Sequence, residues 1–189
     1  MVIQEKFYTA DDLWDLSHLP EYDEIRLELS EGNLIIMAPA GGKHGGLAGE
    51  IYVYVHQYVK TNKLGYVTAA ETGYILDKNP SGKDTVRAPD VGFVRGERLP
   101  EGLPDGFIPF APDLAVEVAS PNESGDDIQD KVLDYLRYGT RAVWYFYPKS
   151  RTVNVHTKEG TRTITEDEVL DGGDALPGFS LRVGDVFEG

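Results

Sequence analysis

Apolar positions in this chain recur with two periods, and the change of period marks its elements. Leu47, Ile51, Val55 and Val59 fall every fourth residue with Tyr54 and Tyr58 beside them, predicting an amphipathic helix of about four turns. Ile25–Leu29 and Asn33–Met37 instead alternate polar and apolar. The turn-forming Ser30-Glu31-Gly32-Asn33 between them predicts a hairpin. Upstream, Thr9 precedes Asp11, Asp12, Leu13 and Leu16 as the N-cap of a short helix that Pro20 ends. Tyr66 to Leu76 is rich in β-branched and aromatic residues. Val86 to Val94 is the next strand, with Pro89 early in it, as suits an edge, a bulge or a strand start. Ala38 to Gly46 and Arg95 to Pro109 read as Gly- and Pro-rich loops.

The second half is more regular. Leu114 to Ala119 is a buried strand, and a helix from about Asp126 to Tyr138 closes at Gly139, a good C-cap position. Ala142 to Tyr147 is a short, nearly all-apolar strand. Thr152 to His156 alternates, and Thr161 to Thr165 pairs with it. A tail with Leu176, Phe179, Leu181 and Val183 follows. The order of elements predicts an α/β (α+β) fold with one mixed sheet, in a single domain over residues 1–189.

Composition narrows the setting. The chain has no cysteine, which excludes disulfides and cysteine metal sites and suits a reducing, cytoplasmic setting. Met1 to Lys6 has no charged-then-apolar pattern, so no signal peptide is expected. No apolar run approaches the ~20 residues of a membrane span, so no membrane partner is expected. The net charge of −14 argues against a broad basic surface for nucleic acid, yet an acidic site can bind phosphate through a divalent cation.

One residue breaks the apolar pattern in an informative place. Glu117 lies in the middle of the strand after Pro112-Asp113, and a carboxylate there requires a partner or a cation. Alternation puts Asp113, Ala115, Glu117 and Ala119 on one face and Leu114, Val116 and Val118 on the other. Asp113 is four residues away, ~13 Å along a strand, too far to share one ion. Asp90 lies on another strand; if the two strands are neighbours, Asp90 and Glu117 come within reach of one cation. Lys131, at the edge of the stripe Ile128, Val132, Tyr135 and Leu136, has a stem long enough to return its charge to that pair. Two acids, a lysine and the Val118 carbonyl make a kit for metal-assisted phosphodiester hydrolysis, with Mg²⁺ or Mn²⁺ on Asp90, Glu117 and Val118. Lys131 would then be the base or the charge stabiliser.

Each residue also has a plainer reading. Asp90 after Pro89 can cap a turn, and Glu117 can pair with Lys131 or Arg87. Lys131 can lie along the surface. Gly41-Gly42-Lys43-His44-Gly45-Gly46 lacks the Gly-Lys-Ser/Thr spacing of a phosphate loop, and the four histidines show no zinc-ligand spacing. Trp144-Tyr145-Phe146-Tyr147 reads as strand core or a dimer surface.

Pro89-Asp90 followed by Glu117-Val118 resembles the PD-(D/E)XK nuclease superfamily, and most of the chain resembles the Uma-two family of restriction-endonuclease-like proteins. The resemblance rests on Leu27-Glu28-Leu29 with Glu31-Gly32, on Lys43-His44, on Arg87-Ala88-Pro89-Asp90-Val91, and most closely on Pro112 to Pro121. Asp127, Lys131, Tyr135 and Trp144 fall at matching places after it. The departure is Ala119, where the superfamily has lysine; a helix lysine matching Lys131 would substitute. The resemblance implies a mixed sheet flanked by helices, a metal-dependent endonuclease acting on nucleic acid (DNA in the first instance), and a homodimer. It adds Glu28 as a further acid and His44 as a site residue. Taken alone, Glu28 is the exposed residue of an alternating strand and His44 a loop residue facing solvent. The alternative is a nuclease-fold binding or assembly module that no longer cuts.

Overall fold

A computed structural model describes residues 6–23, 25–121 and 123–188. Met1 to Glu5, most of the segment read above for a leader, lie outside the described residues. Three α-helices and three sheets form a mixed α and β fold among them.

The helix ends are written in local chemistry. Helix α1 (Ala10–Leu16) starts at Thr9, whose hydroxyl accepts from the Asp12 N–H while the Asp12 carboxylate accepts from the Thr9 N–H. Helix α3 (Gly125–Arg137) has the same reciprocal cap in Ser124 and Asp127. Helix α2 (Gly42–Asn62) starts earlier than its apolar stripe predicts. The glycine-rich stretch after Gly41 is therefore the first helical turns, not a loop. The stripe underestimated it because glycines leave no apolar mark in the pattern.

Strands β1 (Arg26–Ser30) and β2 (Asn33–Met37) form the predicted hairpin. Its turn takes positive φ at Glu31 and Gly32, and a Cβ on Gly32 would lie 2.9 Å from Phe7 Cβ. The strands then divide. Tyr66 to Leu76 is two strands, β3 (Gly65–Ala69) and β4 (Tyr74–Asp77), and Val86 to Val94 is also two, β5 (Thr85–Arg87) and β6 (Val91–Arg95). β2, β1, β5 and β4 form an antiparallel four-stranded sheet. β3 and β6 belong to a six-stranded sheet with β7 (Leu114–Val118), β8 (Ala142–Tyr147), β9 (Thr152–Thr157) and β10 (Gly160–Thr165), ordered β10-β9-β8-β7-β6-β3. Among the described strands of this sheet only β7 and β8 run parallel, joined by the α3 crossover. A two-stranded ribbon, β11 (Val169–Asp171) with β12 (Ser180–Arg182), completes the tail. The single sheet expected from sequence is thus several. Pro89, which has no N–H to give a ladder, stands where the chain passes from one sheet to the next.

The six-stranded sheet carries the core on both faces. Leu114, Val116 and Val118 of β7 pack with Leu47, Ile51, Val55 and Val59 of α2. Ala115 on the opposite face packs with Val132 and Tyr135 of α3. Trp144, Tyr145 and Phe146 are fully buried, so these three are core rather than a dimer surface. Among the described residues no helix is long and apolar enough to cross a membrane.

Candidate active site at the junction of two sheets

β6 and β7 are antiparallel neighbours whose last register pair is Val91 with Val116. One residue further on each strand stand Asp90 and Glu117, which the register therefore brings side by side. The junction adds two more strands. β1 contributes Arg26 and Glu28, two residues apart and so on one face; the end of β5 contributes Arg87. α2 brings His44 in its first turn, and α3 covers the pair with Lys131 and Tyr135.

Asp90 is buried and fully engaged. Its Oδ2 accepts the Val118 N–H at 2.8 Å, standing in for the strand carbonyl that β6 no longer offers there. His44 Nε2 lies 3.3 Å from the same oxygen, and Arg26 Nη1 donates to Oδ1 at 3.2 Å. Burial alone would raise the Asp90 pKa. The His44 hydrogen bond and charge, with Arg26 and the Val118 N–H, outweigh it and hold the carboxyl below its usual range. The same contact with Asp90, helped by the Val118 backbone carbonyl, raises His44 against its own desolvation.

Glu117 is the opposite case. Burial pushes its pKa up to about 7, Lys131 opposes this, and the charges of Asp90 and Glu28 push it higher. The Tyr135 hydroxyl donates to Oε1 at 2.9 Å. Lys131 Nζ lies 3.7 Å from Oε2 and donates to Glu123 Oε1 at 3.2 Å. Burial favours a neutral Lys131, yet Glu117, Glu28 and Glu123 together hold its pKa above the ordinary lysine value. A lysine whose pKa is pushed up in this way suits the charge-stabilising role better than that of a base.

Around this centre runs a second ring. Glu28 is fully buried, contrary to an exposed strand position. It accepts from Arg87 Nη1 at 3.1 Å and from the Ala88 N–H at 3.0 Å. Arg87 also donates twice to Asp134 Oδ2, at 3.1 and 2.6 Å. Arg87 therefore pairs with Glu28 and Asp134 and leaves Glu117 to Lys131. Arg26 links Asp90 to Glu28, whose Oε1 is 3.7 Å from its Nη2.

The fold thus brings Asp90, Glu117, Lys131, Glu28, His44 and Val118 into one place. Sequence reasoning missed Arg26, Glu123 and Asp134, and put Tyr135 in the apolar stripe. Arg26 had a signal, its two-residue spacing from Glu28; Glu123, in an acidic turn, had none. Pro112-Asp113 lies elsewhere, its carboxylate held by Arg95 N–H, Arg98 and Arg141.

Among the described residues no three His, Asp or Glu side chains stand together as a ready cation cage. The donor chemistry nevertheless suits Mg²⁺, a hard cation that takes one or two carboxylates and keeps several waters. A buried Glu117 with a raised pKa, beside the ionised Asp90, is a carboxylate that a cation would relieve.

Three comparisons with known proteins bear on this site. Residues 13–184 match the family model Uma2, described as "Putative restriction endonuclease". A crystal structure of a "putative nuclease belonging to DUF820" from Anabaena variabilis shares the fold, with a TM-score of 0.79, 23% sequence identity, and coverage of 95% of this chain and 97% of that one. No curated protein matches the chain.

Proposed function

Because the chain belongs to the Uma2 family of restriction-endonuclease-like proteins, we propose that it hydrolyses nucleic-acid phosphodiester bonds with a divalent cation, Mg²⁺ or Mn²⁺. Asp90, Glu117 and the Val118 carbonyl would hold the cation. Bound there, it would polarise the phosphate and lower the pKa of a water. The observation that carries the reading is Lys131 Nζ, 3.7 Å from Glu117 Oε2 and kept charged although largely buried.

The chain's own residues have separable tasks. Tyr135 fixes the orientation of Glu117 through its 2.9 Å hydrogen bond. Arg26 and His44 keep Asp90 ionised. As a water oxygen bonds to phosphorus and releases a proton to solvent, the ester P–O bond breaks; negative charge grows on the phosphoryl oxygens and on the departing oxygen, which takes up a proton from solvent. Lys131 stabilises that charge; a single preorganised donor is worth roughly 10²–10³ in rate. The first turns of α2 give substrate room: a Cβ at Gly41, Gly42, Gly45 or Gly46 would meet no atom within 4 Å. Bare N–H groups at a helix start suit a phosphate. DNA, a cytoplasmic setting and a homodimer belong to the same proposal.

Incubation with supercoiled plasmid and Mn²⁺ tests it. Nicking should fall about 100-fold in Lys131→Met and disappear in Asp90→Asn, with circular dichroism unchanged. No nicking by the wild type, or undiminished nicking by both variants, overturns the reading.

One observation favours the second reading, a nuclease fold that binds without cutting. Both Asp90 oxygens already have partners within the protein, Arg26 on one and Val118 N–H with His44 on the other. Calorimetric titration of Mn²⁺ separates the two. Tight oligonucleotide binding without cation uptake or nicking would support the binding module.

A further inference from the structure

Arg26 carries a positive charge that a divalent cation at Asp90 has to meet. It stands on β1 with its side chain 16% exposed, and its Nη1 donates to Asp90 Oδ1 at 3.2 Å. Burial works against that charge. Glu117, Glu28 and Asp90 more than offset it and hold the Arg26 pKa above the ordinary arginine value. A guanidinium is thus the present counter-ion of the carboxylates assigned to the cation.

The two oxygens of Asp90 are not equivalent. Oδ2 accepts the Val118 N–H at 2.8 Å and lies 3.3 Å from His44 Nε2, so it is occupied on two sides. The Val118 N–H is main chain and cannot turn away. Among the described residues Oδ1 has one hydrogen-bond partner, Arg26. A cation on Asp90 therefore meets Oδ1, beside the Arg26 charge. Like charges so close repel strongly away from bulk water. His44 can shed its charge by losing a proton, but a guanidinium cannot, so Arg26 has to move.

The donors of Arg26 point to where it goes. Nε and Nη2 are shut off from solvent, and among the described residues neither has a hydrogen-bond partner. Buried polar groups in folded proteins are nearly always paired. Nη2 lies 3.7 Å from Glu28 Oε1, just beyond hydrogen-bond length. That oxygen accepts the Ala88 N–H at 3.0 Å and has a second lone pair to offer. A shift of about 1 Å or less toward Glu28 would form the bond and draw Nη1, already at the long limit, off Asp90.

We propose that Arg26 is a positioning residue with two places. On Asp90 it neutralises the site when no cation is bound; on Glu28 it leaves Asp90 Oδ1 to the divalent cation. This rests on Asp90 and Glu117 holding the cation, as proposed above. It makes Glu28 the receiver of Arg26 and not a ligand of the cation.

Calorimetric titration of Mn²⁺ into the full-length protein tests this without any cleavage. Arg26→Met should bind Mn²⁺ at least tenfold more tightly than wild type. Glu28→Gln should weaken wild-type binding at least fivefold more than it weakens binding by Arg26→Met, because its loss strands Arg26 on Asp90. Uptake by the wild type that Arg26→Met does not tighten overturns the proposal and leaves the cation at Asp90 and Glu117 standing. An equal loss from Glu28→Gln in both backgrounds also overturns it and makes Glu28 a direct partner of the cation. No uptake by either wild type or Arg26→Met overturns the cation assignment itself, and this proposal with it. Should a variant fail to fold, a crystal structure of the wild type with Mn²⁺ decides. Nη2 should then be within hydrogen-bond length of Glu28 Oε1, with Nη1 released from Asp90; Nη1 still on Oδ1 beside a bound cation overturns the proposal.

Discussion

Tyr135 donates its hydroxyl hydrogen bond to Glu117 Oε1 at 2.9 Å, and both residues are buried between α3 and the six-stranded sheet. Tyr135 comes from the helix that follows the Glu117 strand, so this bond and the Lys131 contact both pin α3 to its own strand. Replacing Tyr135 with Phe leaves the ring packing and removes one donor from a buried carboxylate. A hydrogen bond to a charged group is worth about 1.5–3 kcal/mol, so urea denaturation at pH 8 should show a loss of that order. At pH 5, where Glu117 is mainly protonated, the loss should be smaller. Equal losses at both pH values would detach the bond from the charge on Glu117.

The Glu117 carboxyl also sets a pH dependence of stability. Its folded pKa is raised to about 7 from an ordinary 4.5. Below the lower value both folded and unfolded chains hold the proton. Between the two, only the folded chain does, so its contribution to stability falls as pH rises through 7. Measured from pH 5 to 8 without divalent cation, wild type should lose stability relative to Glu117→Gln, in which the neutral form is permanent. Mn²⁺ at pH 8 should restore the wild type and not the variant. A pH-independent difference between the two would contradict the buried-carboxyl account.

Arg87 holds Glu28 and Asp134 together across the sheet junction. Removing one partner from a buried ion pair leaves charge uncompensated and costs about 3–5 kcal/mol. Arg87→Met should therefore lower the unfolding free energy by that order. Adding Glu28→Gln and Asp134→Asn should recover part of it. An additive, still larger loss in the triple variant would show that the three residues do not act as a unit.

The glycines of α2 invite a test that separates folding from function. Gly45 and Gly46 are helical and a Cβ on either would meet nothing within 4 Å. Alanine at such a position gains roughly 0.5–1 kcal/mol in a helix. Gly45→Ala/Gly46→Ala should therefore melt higher than wild type. If a phosphate backbone approaches this turn, nicking should fall as stability rises. Unchanged nicking would place the substrate elsewhere.

Much of this architecture was legible in the linear pattern. Thr9 with Asp12, the Ser30–Asn33 turn, the α2 stripe and the alternation of β7 are short-range matters of capping, φ preference and periodicity, and they came out as expected. The partition into several sheets was not legible, because strand pairing is decided between distant segments. Nor was the helical state of Gly42 to Gly46, where propensity is poor and the rest of the helix decides.

The same division applies to the candidate site. By itself the sequence determined that Glu117, inside an apolar strand, needed a charged or metallic partner, and that Asp113 was too far along the strand to share it. It also put Lys131 within reach of the strand, because a helix follows directly. Only the tertiary structure decided that Asp90 lies one register step beyond the Val91–Val116 pair, that Arg87 turns to Glu28 and Asp134, and that Glu123 and Tyr135 complete the surroundings of Lys131 and Glu117. Local chemistry is written in neighbours along the chain. A buried charge network depends on which distant strands and helices meet, and that is fixed only when the whole core packs.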